Sequence, residues 1–229
     1  MRNRLPYLHT SSTVVMTLPD FPEEILLEIM QRCGDDDYRF LASFVVAGKR
    51  SNRLVYSSEI LRTCNLTALC VERLDIILIM RGLRGHPFFE RCLGQGNIQA
   101  AYFEALRLII HCGDFEGGLN LMEPNVPDDG KTTLASAFFY CLLDEAGYLF
   151  QCFDAKHDHL VSDKARRIGQ EIVREVGSFH PPYGGYFSYS FLFPPALMPE
   201  CAYDHDPVHD PVCHTCFLYW VAHRVCAML

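Results

Sequence analysis

The stretch from Phe21 to Met30 limits what this chain can fold into more than any other. Pro22 suits a first helical turn, because its missing N–H would have no intrahelical partner there. Glu23 and Glu24 follow, where the positive end of the helix dipole favours negative charge. Ile25, Leu26, Ile29 and Met30 then fall on one face, with Leu27 beside them. A helix patterned this way must be covered, either by its own core or by a partner.

The rest of the chain reads as helix nearly to its end. Residues 1–16 form a tail with Arg2, Arg4, Ser11, Ser12 and Thr13 and no acid before Asp20. That composition is faintly like a transit peptide and is read as a disordered tail, with Met16 an alternative start. Residues 17–65 hold short helices. The first runs from Pro22 to Cys33, and Gly34 to Asp37 form a turn and a cap. Tyr38, Leu41, Phe44 and Val45 face the core, and Gly48 ends that segment. Residues 66–176 are richly helical, with amphipathic segments at Val71–Leu78, His86–Leu93, Gly96–Gly113 and Gly130–Gly147 and a loop between the last two. Gly96 and Gly130 are 34 residues apart, as are Gly113 and Gly147. That period belongs to tetratricopeptide-type repeats, with Sel1-type relatives slightly longer. Lys156, Lys164, Arg166, Arg167 and Arg174, mixed with acids, read as a solvated helix face. Beyond Gly177 the pattern changes. Pro181-Pro182, Gly184-Gly185, Pro194-Pro195, Pro199, Pro207 and Pro211 break regular structure, and aromatic residues lie between them. A helix from Cys213 to Met228 closes the chain.

Composition removes several function classes. The formal charge of −8 and pI of about 5.6 oppose a general nucleic-acid binder, which needs a basic surface to displace counterions. No apolar run reaches the roughly 20 residues that span a bilayer. Eleven cysteines, scattered through apolar helical patterns, point to a reducing compartment and to buried small hydrophobes. Cytoplasm or nucleus is the expected location.

Phe21, Pro22, Glu24, Ile25, Leu26, Glu28, Ile29 and Met30 stand in the register with which an F-box opens, and the stretch resembles that module. The second half of an F-box carries a pattern like Val-x-Lys-x-Trp-x-x-Leu. Lys49 and Leu54 are present here, and Ser51 stands where an aromatic anchor is usual. The later helices look like a group of plant F-box proteins with a tetratricopeptide- or Sel1-like region. Phe88-Phe89-Glu90-Arg91-Cys92 and Gly96 to Tyr102 carry that resemblance. It implies docking onto a Skp1-like adaptor, and through it a cullin, by Phe21, Pro22, Ile25, Leu26, Ile29 and Met30, with Val46 and Leu54 supporting. It also implies a protein target on the helical region and no catalysis by the chain itself.

Other chemistry has one competitor. Cys213-His214-Thr215-Cys216 is a CxxC pair, and His223 and Cys226 follow on the last helix, so Cys213, Cys216, His223 and Cys226 form a candidate zinc set. Cys201, His205 and His209 are additional candidates. Gly130-Lys131-Thr132 lacks the first glycine of a phosphate loop, and Asp128 and Asp129 would repel phosphate, so it reads as a helix start with an aspartate cap. Gly94-Gln95-Gly96 lacks the third glycine of a dinucleotide fingerprint. Nothing assembles a nucleophile, base and orienter.

The expected fold is all-α: a short-helix F-box at 17–65, stacked helical hairpins at 66–176, and an irregular Pro- and aromatic-rich segment with a terminal Cys/His helix at 177–229. The expected function is the substrate-recognition adaptor of a ubiquitin ligase. A helical scaffold with a degenerate F-box, with or without a C-terminal zinc module, is the alternative.

Overall fold

The computed structural model describes residues 21–68, 85–143, 146–182, 185–186, 188–204, 213 and 215–229. Among them the fold is all-helical, with no strand and eleven α-helices. The segment expected as a helix at Val71–Leu78 lies outside the described residues.

The first four helices are short. Helix α1 (Glu23–Asp36) starts behind Pro22, with Glu23 and Glu24 in its first turn. It runs past the expected stop at Cys33. Gly34 lies inside the helix and is buried, because Leu41 and Cys64 press against it: a Cβ there would meet them at 3.3 and 3.4 Å. The cap comes from Asp37, whose carboxylate accepts the Arg39 N–H at 2.9 Å. A 3-10 turn leads into α2 (Ala42–Val46). Gly48 then takes φ +142°, which a side chain would strain, and turns the chain into α3 (Lys49–Val55). Helix α4 (Ser58–Thr63) packs back on α1.

Next come α5 (His86–Gly94), α6 (Ile98–Arg107), α7 (Phe115–Met122), α8 (Gly130–Tyr140), α9 (Ala146–Lys156) and α10 (Asp163–Ser178). Asn97 caps α6 by accepting the Ala100 N–H. A π turn at Leu108–Cys112 and left-handed Gly113 end it. Asp129 caps α8 as expected: its carboxylate accepts the Thr132 N–H at 2.8 Å and the Thr132 hydroxyl at 2.6 Å. Ser162 does the same for α10 through the Ala165 N–H.

The loop expected between Gly113 and Gly130 contains α7 instead. Gly117 and Gly118 hide it from a propensity reading. Gly118 is there for packing, since a Cβ on it would lie 2.9 Å from the Ala105 carbonyl oxygen and 2.5 Å from Ile109. The glycines spaced by 34 residues are not equivalent either. Gly96 and Gly113 take positive φ in turns, whereas Gly130 opens α8 and Gly147 sits in the first turn of α9. Consecutive helices still pair, α6 with α7 and α8 with α9.

Helix α8 is the centre. Eight of its eleven residues are buried, and it packs on α7, α9, α10 and on the last helix, α11 (Phe217–Met228). Beside it lies a buried charge cluster. Glu175, 3% exposed, accepts from Tyr102 Oη at 2.9 Å and from Lys131 Nζ at 2.5 Å. It thereby ties α6, α8 and α10 together. Glu175 is the exception to the solvated face read for this helix. The segment 188–204 passes over the end of α8 and over α9, with the Leu192 N–H donating to the Cys141 carbonyl at 2.7 Å and Phe193 against Phe150.

One hydrophobic core runs from Leu26 to Leu229, so the first four helices share it with the rest. Asn97 is the joint. Buried and 2% exposed, it donates through Nδ2 to the Leu61 and Cys64 carbonyls, both at 3.0 Å, at the end of α4. Asn97→Ala removes the amide donor from two carbonyls and leaves one helix N–H without its cap, and is expected to cost about 2–3 kcal/mol. Asn97→Asp keeps the cap but turns an oxygen toward those carbonyls, and is expected to cost more; urea denaturation measures both. Gly118→Ala is expected to destabilise by about 1–3 kcal/mol through overpacking. Gly94→Ala, where a Cβ meets nothing within 4 Å, is expected to be neutral or stabilising by up to about 1 kcal/mol in the same assay.

Candidate functional site

Helix α1 divides its apolar residues between two directions. Leu26, Met30 and Gly34 point inward, with Leu26 2% and Met30 0% exposed. Ile25 and Ile29, one turn apart, are 44% and 40% exposed, and Phe21 ahead of the helix is 43% exposed. Val46 at the end of α2 is 84% exposed and Phe40 is also exposed. Of the residues expected to face an adaptor, Phe21, Pro22, Ile25, Ile29 and Val46 are therefore at the surface. Leu26, Met30 and Leu54 are not: they fill the core under α1, α3 and α4. The helical period explains the split, since residues one position apart sit about 100° around the axis.

The outer face is held by α3. Arg50 donates to the Phe21 carbonyl at 2.7 Å, and Arg53 pairs with Glu23 at 2.7 Å. Both bonds are exposed, so they orient the entry to α1 more than they stabilise it. Asn52 Nδ2 donates to the Val45 carbonyl and fixes the corner at Gly48. Ser51 turns inward, 2% exposed, and its hydroxyl donates to the Gly48 carbonyl at 3.1 Å. The position thus closes the α3 turn and presents no side chain outward.

At the other end three thiols converge. Cys201 lies in a 3-10 turn (Glu200–Tyr203), and Cys213 and Cys216 precede α11. The Cys201 and Cys213 sulfurs are 3.5 Å apart, and those of Cys213 and Cys216 are 3.3 Å apart. All three sulfurs lie within 4.8 Å of one another. The Cys216 N–H points at Cys213 Sγ, 3.5 Å away. That backbone donor, together with the Cys216 thiol, holds the Cys213 pKa down to about 6. Burial, then the neighbouring Cys213, pushes Cys216 up to about 12, and the bond to Cys213 raises Cys201.

The structure thus joins Cys213 and Cys216 to Cys201 and not to His223 and Cys226. His223 lies among Phe191, Tyr219 and Trp220, its ring 5.1 Å from that of Phe191, and burial holds its pKa below the usual histidine value. Cys226 donates to the Phe138 carbonyl at 3.6 Å in the core, and burial raises its pKa to about 12. The intended shared face fails because α11 begins only at Phe217, leaving Cys213 and Cys216 in the preceding turn. His205 and His209 lie outside the described residues.

A cleft of about 700 Å³ runs beside the packed pair α10 and α11, with Val173, Arg174, Trp220, Val221 and Arg224 among its lining residues. Among the described residues no helix is long and apolar enough to cross a membrane. No family model, no curated protein and no solved structure matches the chain.

The thiols differ enough for chemistry to separate them. In reduced, chelator-treated protein at pH 7, iodoacetamide is expected to label Cys213 before Cys216 and Cys226, read by peptide mass spectrometry. The Cys213 rate is expected to rise with pH and level off above about pH 7, because the thiolate is the nucleophile and its fraction grows through a pKa of about 6.

Proposed function

We propose that the chain is the substrate-recognition adaptor of a Skp1–cullin–F-box ubiquitin ligase, docking on a Skp1-like protein through the outer face of α1. The observation that carries this reading is the apolar stripe of Phe21, Ile25 and Ile29, left at the surface by a helix whose other face is already used by its own core. A helix-borne apolar stripe of this kind is suited to helix-against-helix recognition. Phe40, in the 3-10 turn that packs on α1, and Val46, at the end of α2, are further exposed apolar residues of these first helices. In this reading the ubiquitin chemistry belongs to the partners, and a protein target is held on the helical region that follows, where the α10–α11 cleft offers apolar walls with Arg174 and Arg224.

A second reading is a helical scaffold that joins no ligase. Ser51 favours it, because the position that usually carries an aromatic anchor is occupied by a small residue turned inward. Such an anchor would be a natural hot spot.

Co-purification with a Skp1-like adaptor separates the two. Ile25→Asp with Ile29→Asp alters the surface stripe and spares Leu26 and Met30, so the helical circular dichroism is expected to stay unchanged. Loss of two half-exposed apolar contacts, about 3 kcal/mol together, is expected to weaken adaptor binding roughly 100-fold. Binding that survives the double substitution, or that is absent from the unsubstituted chain, defeats the adaptor reading.

A further inference from the structure

The geometry points to a structural zinc site formed by Cys201, Cys213 and Cys216. Tetrahedral zinc holds each thiolate sulfur at about 2.3 Å, which places the sulfurs of one ion about 3.8 Å apart. The distances of 3.5 and 3.3 Å, with all three sulfurs inside 4.8 Å, are close to that arrangement before any ion is added. They are also well beyond the roughly 2.05 Å of a disulfide, so these are three separate thiols. Cys213 and Cys216 come from one turn and Cys201 from another, the two-turn construction by which short loops present sulfurs to a metal. The Cys216 N–H directed at Cys213 Sγ supplies the donor that a metal-bound thiolate needs outside its coordination shell. Soft thiolates select zinc over magnesium or calcium. The three sulfurs fill three corners of the tetrahedron and leave the fourth to a further donor.

The other close thiol pair shows what such a site requires. The Cys64 and Cys92 sulfurs are also 3.5 Å apart. That pair is fully buried, no third sulfur joins it among the described residues, and its polar neighbour is the Asn97 amide, whose N–H points toward Cys64 Sγ. A donor aimed at the sulfur, with no further ligand, makes a packed pair of thiols. The C-terminal group has the third ligand and partial exposure.

Binding exchanges thiol protons for Zn²⁺ and needs no oxidant. The ion would pin the Glu200–Tyr203 turn to the start of α11, whose Val221, Ala222, Val225 and Cys226 lie in the core. Its purpose in this fold is to fasten a proline-rich segment that has only short 3-10 turns among its described residues.

The test is metal analysis and cobalt titration of the full chain, independent of any adaptor. Zinc-loaded, desalted protein is expected to retain about one zinc per chain, and chelation is expected to lower its melting temperature. Chelated, reduced protein titrated with Co(II) alone is expected to show thiolate-to-cobalt charge-transfer absorption saturating at one equivalent. Cys201→Ser, Cys213→Ser and Cys216→Ser are each expected to weaken Co(II) at least tenfold, while Cys226→Ser and His223→Ala leave it unchanged. Retention below about 0.2 zinc per chain with no charge-transfer band overturns the site. So does loss of metal in Cys226→Ser or His223→Ala with retention in Cys201→Ser. If the serine variants do not fold, the charge-transfer band of the unsubstituted chain decides alone. Oxidation of Cys213 and Cys216 to a disulfide with no metal uptake from the reduced form also overturns it.

Discussion

Helix α8 has almost no side to give to water, and the arrangement of the other helices follows from that. With Thr132 to Phe139 buried in one unbroken run, it needs neighbours all round. It finds α9 next in the chain, α7 before it, and α10 and α11 from the far end. An isolated pair of helices would leave half of this surface wet, and the chain must return to α8 after about seventy-five residues to complete its coat. The return explains why the C-terminal helix belongs to the core although the stretch before it is irregular. The same geometry explains the buried Glu175. Charged groups are rarely enclosed so fully unless paired, and here Lys131 at the start of α8 and Tyr102 of α6 supply the partners.

Local chemistry was the most readable part of the chain. The Pro22-Glu23-Glu24 entry, the Asp129 cap and the stop at Gly48 each rest on interactions within a few residues, and each was legible. What escaped was fixed by distant neighbours. Gly34 looked like a helix stop and is a contact with Leu41 and Cys64. Gly117-Gly118 looked like a loop and lies in a helix, with Gly118 pressed on Ala105 and Ile109. Glycine serves both purposes, and only tertiary packing distinguishes them. The 34-residue spacing had the same weakness: it aligned glycines with different conformations.

The sites show a similar division. Periodicity identified an apolar face on α1 but could not tell which half of it the protein keeps for itself. Burial assigns Leu26 and Met30 to the core and leaves Ile25 and Ile29 outside. At the C-terminus the CxxC spacing found Cys213 and Cys216. Helical spacing then put His223 and Cys226 ahead of the additional candidate Cys201, and the chain folds Cys201 onto the pair from a turn twelve residues back. Loop closure of that kind leaves no period in the sequence.

The Asn97 joint has a mechanical meaning. Because its amide bonds the last turn of α4 and its oxygen caps α6, the end of the first four helices and the start of the next ones cannot rotate independently without breaking buried hydrogen bonds. A body held by the outer face of α1 would therefore carry the later helices at a set angle, as an arm fixed to a bracket and not a load on a tether. Reach and orientation between the two ends become properties of the fold itself.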